Sequence, residues 1–412
     1  MNPTAEVDPN RRRFLRTSAL FLAAAMTEVL ALCAPALARR RAREARRASG
    51  AQEEGPSEAT LTGPYATACV MEPATEAIIF DKDMHKPWPT ASLAKMMLTL
   101  IVAEQLGNYR LKLGDKVTTS RKAEEMGGSQ VYLKEGESFT LDDMMKAIMV
   151  HSANDASVAV AEYVAGSTEA FVVMMNQQVV KLGLKDTHYY SVHGLPPAPG
   201  QGTDVSSAYD LAIIAREMVK YPDVLRWAAI DTAPFRNGTF TLRNTNHLVR
   251  TFPGCDGLKT GFYYAAGFNV VATAHRNGFR LITVVLGSPG KNQNFAQAAS
   301  MMSEGFAQYE MRVVVKKGAP IAQSLTVRDG AVSSMKPVWA QDASIFVRRD
   351  EPRPSFRFNY EFPGAITAPV KAGQPVGTGE IVAAGEVPQA VPLLAPADIA
   401  RASWWRRLMG KI

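Results

Sequence analysis

Pro89-Thr90-Ala91-Ser92-Leu93-Ala94-Lys95-Met96 opens an apolar stretch that runs to about Gln105. Its pattern predicts a helix from Ser92 to that point. Residues three apart on a helix share a face, so Ser92 and Lys95 can touch. A serine in the first helical turn is also surrounded by backbone N–H groups, which favour negative charge. Two further motifs follow. Ser152-Ala153-Asn154 lies between helical patterns at 141–150 and 156–164, and Lys259-Thr260-Gly261 lies on a strand-like run at 257–260. Each is weak alone. Ser-x-x-Lys recurs at 288–291 and 333–336, and its plainer reading is a capped, solvated face. Ser152 and Asn154 also suit a turn and an N-cap. Lys259-Thr260-Gly261 also suits a strand end. Only the Ser92 copy precedes both other motifs, and only it opens a long apolar helix. In that order, each on the element type that the chemistry of such residues needs, the three motifs together are a strong signal of one site.

The surrounding pattern supplies the architecture. Strand-like runs at 66–71 and 77–80 precede the Ser92 helix, and a further helix is expected at 206–219. Strand-like runs return at 240–242, 257–260, 268–274 and 281–287, followed by a helical pattern at 295–309. Strands, a helical block and strands again predict an α+β domain with a helical insert. After Met311, short β-branched or aromatic runs alternate with Gly/Pro turns, which predicts a separate small all-β domain.

The 412 residues are 47% hydrophobic and 21% charged, which excludes a disordered or collagen-like chain. Three cysteines exclude a disulfide-stapled scaffold. Pairing of Cys69 with Cys255 stays open, two buried thiols being the plainer reading. Six histidines show no metal-ligand spacing, and no cofactor is expected. The net charge of +7 sits at the ends: residues 39–54 carry +3 and residues 401–412 carry +4. The body is near neutral, so a nucleic-acid surface is not implied.

The N-terminus reads as an export signal. Arg11-Arg12-Arg13-Phe14-Leu15-Arg16 precedes an apolar run and the small-x-small pattern Ala36-Leu37-Ala38. The arginine pair resembles a twin-arginine translocation signal. At the other end, Trp404, Leu408 and Ile412 recur at helical spacing beside Arg406 and Arg407. An apolar stripe with two Trp and basic flanks suits an anionic membrane surface. The expected organisation is a signal peptide at 1–38, a linker at 39–60, a catalytic domain at 61–311, a β-domain at 312–394 and an amphipathic membrane-associating helix at 395–412. The expected location is the periplasm or the outer face of the cytoplasmic membrane.

With its three motifs the chain resembles the penicillin-binding serine acyltransferases, and among them the low-molecular-mass D-alanyl-D-alanine carboxypeptidases. The likeness includes His151-Ser152-Ala153-Asn154-Asp155-Ala156, His193-Gly194-Leu195, Asp256-Gly257-Leu258-Lys259-Thr260-Gly261-Phe262 and Ala266-Gly267-Phe268-Asn269. It covers roughly residues 63–310. The resemblance implies a penicillin-binding, serine β-lactamase-like transpeptidase domain followed by the small all-β domain. It implies removal of the last D-alanine from peptidoglycan stem peptides through an acyl-enzyme on Ser92, and acylation by β-lactams. Lys95 is then the base, Ser152 a proton relay, and Asn154 a group that holds Lys95 and bonds the substrate backbone. Lys259 and Thr260 bind the terminal carboxylate, and Gly261 lets the substrate lie against the strand. The N–H groups of Ser92 and Phe262 form the oxyanion hole.

The chain also departs from these relatives. Phe262 stands where they commonly carry His, Tyr263 where they carry Thr or Ser, and Asn294 near a common Arg. Alternatives on the same residues are a D,D-endopeptidase and a catalytically weak peptidoglycan-binding morphology protein. A β-lactamase is discounted, since no Glu-x-x-x-Asn lies between the second and third motifs. His151 and His193 read as structural.

Overall fold

The computed structural model of the chain describes residues 63–352, 355–383 and 387–403. The expected signal peptide and linker, 1–38 and 39–60, lie outside the described residues. Five antiparallel strands form the central sheet. They are β1 (Thr67–Glu72), β2 (Ala77–Lys82), β3 (Cys255–Tyr263), β4 (Gly267–Arg276) and β5 (Phe279–Ser288), in the order β2-β1-β5-β4-β3. Cys69 opposite Val284 joins the N-terminal strands to the later three.

Successive strand residues point to opposite faces, and here both faces are covered. Cys69, Met71, Val271, Ile282, Val284 and Leu286 pack into the core shared with the helical block. Ala68, Val70, Val270, Ala272, Leu281 and Val285 pack into a second core with Met301, Met302 and Phe306. Burial on both faces explains why these strands read as continuous apolar runs rather than as alternation.

The helical block holds α1 (Lys95–Gly107), α2 (Leu141–Val150), α3 (Asn154–Ala165), α4 (Thr168–Leu182) and α5 (Ala208–Met218); α6 (Gln293–Gln308) lies on the other face. The first nine residues of α1 are all buried, as expected of a helix apolar all round. Thr140, Ser167 and Ser207 cap α2, α4 and α5 by accepting from backbone N–H groups three residues on, each cap being worth about 1 kcal/mol. Gly166 and Gly183 end α3 and α4 in the left-handed conformation.

The all-β region begins at Tyr309–Val315, which pairs with Ala343–Arg348. Phe356–Glu361, Pro375–Ala383, Gln389–Leu394 and Val338–Trp339 form a four-stranded sheet. Leu325, Trp339, Ile345, Ile381 and Leu393 give the region its own core. One expected boundary shifts. Ile399 bridges Val370, Arg401 bridges Gly330, and the Ala402 N–H donates to the Asp329 carbonyl at 2.8 Å. Residues 395–403 therefore close the β-domain rather than start the helix expected over 395–412. Ala395 and Ile399 are buried in that core, and the bridges at Ile399 and Arg401 hold this stretch extended. The rest of the expected helix, 404–412, lies outside the described residues.

Candidate active site

Trp88–Pro89 pairs with Val205–Ser206 and leads the chain into Ala91, whose φ is +48°. A 3₁₀ turn at Ala91–Ala94 follows, and α1 starts only at Lys95. The single helix expected from Ser92 is thus a tight turn feeding a helix, a common helix entry. Three residues per turn bring positions 92 and 95 over each other. Lys95 Nζ donates to Ser92 Oγ at 3.0 Å and to the His193 carbonyl at 2.6 Å.

Ser152 sits in the turn between α2 and α3 with φ +64°. Its hydroxyl accepts from Lys259 Nζ at 2.9 Å. Asn154 begins α3, and its side-chain amide donates to the Gly127 carbonyl at 2.7 Å while its Oδ1 is buried without a partner. The expectation that Asn154 holds Lys95 is therefore not met here. Loop 127–128 takes the amide donor; a β-carbon on Gly128 would lie 2.7 Å from Asn154 Nδ2. Lys95 finds its second partner in His193 instead.

Lys259 and Thr260 lie on β3, an edge strand of the sheet. Lys259 is fully buried and also donates to the Thr260 carbonyl at 3.0 Å. The Thr260 hydroxyl donates to Thr245 Oγ1 at 2.7 Å. Gly261 meets a contact that the sequence did not foretell. A β-carbon there would lie 2.7 Å from the Thr90 carbonyl oxygen and 3.0 Å from the Ser92 nitrogen. What its missing side chain admits is the nucleophile's own backbone. The Phe262 ring stays 56% exposed and stacks on Phe268, with centroids 4.2 Å apart. Asn294 points inward: it is buried, and its amide donates to the Asn269 carbonyl at 3.4 Å.

Electrostatically, the site holds two buried amines. Burial, then the Lys259 charge, holds the Lys95 ammonium well below the usual lysine range, against the pull of Asp204 and Asp155. Burial lowers Lys259 to about 7. His193 is lowered to about 4 by burial and then by Lys95. Its ring is neutral at pH 7, and Nδ1 accepts from the Leu195 N–H at 3.1 Å. His193 thus serves the site through its carbonyl. The His151 ring packs edge-on against Phe240.

Several supports escaped the motif reading. Asn269 donates to the Pro89 carbonyl at 2.9 Å and accepts from the Gly287 N–H at 2.8 Å, tying β4 and β5 to the segment before Ser92. It lies within the Ala266–Asn269 similarity, where a buried strand asparagine was the available signal. Thr245 and Asp204 carried no sequence signal, because their partners are distant in the chain. Cys69 and Cys255 are both buried free thiols.

A serine hydrogen-bonded to a buried lysine, with a second such pair beside it, defines a serine acyl-transfer hydrolase. Residues 57–290 match the family described as D-alanyl-D-alanine carboxypeptidase, and residues 309–401 match the penicillin-binding protein 5 C-terminal domain. D-alanyl-D-alanine carboxypeptidase DacF of Bacillus subtilis (strain 168) is 33% identical over 366 residues, which is 87% of this chain and 93% of the relative. A solved peptidoglycan synthesis regulatory factor (PBP3) from Streptococcus pneumoniae superposes with a TM-score of 0.73 at 28% identity, covering 82% of this chain and 100% of its own. Penicillin-binding protein D2 of Listeria monocytogenes, solved in its ampicillin-bound form, matches with a TM-score of 0.55 at 29% identity, covering 61% of this chain and 100% of its own. The chain belongs to the D-alanyl-D-alanine carboxypeptidase family of serine hydrolases.

Proposed function

We propose that the protein removes the terminal D-alanine from peptidoglycan stem pentapeptides through an acyl-enzyme on Ser92. The observation that carries this reading is the double pairing, Lys95 on Ser92 and Lys259 on Ser152. A free serine hydroxyl is a poor nucleophile and needs a base. A lysine serves as base only when it is neutral, and burial beside a second cation favours that state for Lys95. Ser92 Oγ attacks the carbonyl between the last two D-alanines while its proton passes to Lys95 Nζ. Collapse of the tetrahedral intermediate breaks the C–N bond, and Ser152, backed by Lys259, hands a proton to the leaving amine. Water then hydrolyses the ester and restores Ser92.

The substrate lies extended along the free edge of β3. Thr260 meets the terminal carboxylate, and the unpaired Asn154 Oδ1 accepts from the substrate backbone. The Ser92 and Phe262 N–H groups receive the oxyanion, each worth about 10²–10³ in rate. β-Lactams acylate the same serine; the ampicillin-bound Listeria structure supports this. The sequence of 1–38 supports export, and that of 404–412 supports contact with an anionic membrane surface.

The test is release of D-alanine from a peptide ending in D-Ala-D-Ala, with Ser92→Ala as the control. Release lost in the variant is the expected result. No release by the folded protein, or normal penicillin labelling of Ser92→Ala, overturns the reading.

A further inference from the structure

Asp204 has no part in the chemistry just described, yet its carboxylate is buried and fully engaged. Its Oδ1 accepts from the Tyr190 N–H at 2.5 Å and the Ser191 N–H at 2.9 Å, and its Oδ2 accepts from the Ser191 hydroxyl at 2.6 Å. Ser191 Oγ in turn accepts from the Gly194 N–H at 2.9 Å. The Asp204 carbonyl accepts from the Thr90 N–H at 3.0 Å and from its hydroxyl at 3.3 Å. One residue therefore grips two segments. The first is turn 190–194, whose His193 carbonyl receives Lys95 Nζ. The second is the strand that leads into Ala91 and Ser92.

A neutral asparagine oxygen would satisfy the same two N–H groups. A buried carboxylate costs more to desolvate than an amide, so capping alone does not account for a charge at this place. We propose that Asp204 is a positioning residue for acylation: it fastens turn 190–194 so that the His193 carbonyl stays on the Lys95 amine, and its charge counterbalances Lys259 there. The inference rests on Lys95 acting as the base.

The groups that bear on the Lys95 amine come from every side of it. Lys259 on β3 pushes its proton off, while Asp204 before the 205–206 strand and Asp155 on α3 hold the proton on. His193 feels Lys95 and Lys122, and Tyr189 and Tyr263 feel Asp204. Burial raises Asp204 itself, and its hydrogen-bond donors and Lys95 lower it. Without the Asp204 charge, Lys95 releases its proton at lower pH. The acid limb of acylation, where the base becomes protonated, then moves to lower pH.

The experiment measures the acylation rate of Ser92 by a fluorescent penicillin as a function of pH, in the full protein, Asp204→Asn and Ser191→Ala. Circular dichroism and thermal melting establish that each variant is folded. The expected result for Asp204→Asn is an acid limb lowered by about one pH unit. For Ser191→Ala it is an unmoved limb with a plateau reduced roughly tenfold or more. An unmoved limb in folded Asp204→Asn overturns the proposal, as do wild-type rates in Ser191→Ala. If Asp204→Asn does not fold, Ser191→Ala decides. Absence of acylation in the unmodified protein overturns the Ser92 reading itself, and this inference with it.

Discussion

Gly194 packs against Ala91 so closely that a β-carbon on Gly194 would lie 1.9 Å from the Ala91 carbonyl oxygen. Gly194 has φ +75° and Ala91 has φ +48°, so two left-handed turns meet backbone to backbone beside the nucleophile. Gly194→Ala adds both a backbone clash and a strained φ. The expected outcome is acylation by penicillin slowed by roughly 100-fold, because a shift of about 1 Å at the reacting groups costs that much. The melting temperature falls as well. A stopped-flow acylation rate near wild type would show that the turn moves aside freely.

Asn269 is a structural tie, and its loss is first of all a stability effect. Asn269→Ala strands the Pro89 carbonyl and the Gly287 N–H. Each buried, unpaired polar group costs about 1–3 kcal/mol. Urea unfolding is expected to show a loss of about 2–4 kcal/mol with an unchanged m-value. A loss below that range would mean that water or a neighbour replaces the amide.

Lys95→Ala is expected to abolish penicillin labelling at neutral pH while circular dichroism stays native, since the change removes one buried amine and leaves the eight following buried residues of α1 in place. Labelling within tenfold of wild type would assign the base to another group.

Lys259 gives stability a readable pH dependence. The folded amine releases its proton near 7, whereas an unfolded lysine keeps it to about 10.4. Between those values the unfolded chain binds more protons, so stability rises with pH. Burial also raises the Cys69 and Cys255 thiols, Cys255 to about 11, and these oppose the trend above about 8.5, where free thiols ionise. In the window from about 7 to 8.5, the urea midpoint of the wild type is expected to rise, and that of Lys259→Met to rise less. Parallel curves for the two proteins would remove the assignment of this slope to Lys259.

Two truncations separate the roles expected of the C-terminal segment. Truncation after Ser403 removes 404–412 and is expected to reduce pelleting with anionic lipid vesicles without changing the melting temperature. Truncation before Asp398 also removes Ile399 and Arg401 from their bridges and is expected to destabilise the β-domain. Pelleting unchanged after the first truncation would reject the membrane role of the tail.

Much of the fold was legible in the chain. Periodicity located α1, α2, α3, α5 and α6, whereas α4 (Thr168–Leu182) went unpredicted, and the caps at Thr140, Ser167 and Ser207 were read only from the structure. The strands of the central sheet read as continuous apolar runs, although their covering layers did not. The 3₁₀ entry at Ala91–Ala94 was not legible, because one turn of 3₁₀ and one turn of α-helix share the same spacing of Ser92 and Lys95. The end of the β-domain was misplaced for a related reason. The helix inferred from the spacing of Trp404, Leu408 and Ile412 was extended back to 395, but Ile399 is buried on a core assembled from strands far away in the chain.

By itself the sequence determined which residue types stand close in the chain: Ser92 one turn from Lys95, Ser152 and Asn154 at the junction of two helices, and Lys259 on a strand. Those assignments depend on residue type and local spacing, which a linear chain carries directly. Only the tertiary structure decided the partners. Lys95 reaches the His193 carbonyl across 98 residues, and Lys259 reaches Ser152 across 107. Asn154 turns to Gly127, and Gly261 makes room for residues 90–92 rather than for a ligand alone. Such contacts follow from how sheet and helices pack, and the burial that packing creates shifts both amines. A lysine in a sequence has the proton affinity of a free amine; desolvation, which only the folded protein supplies, lowers it.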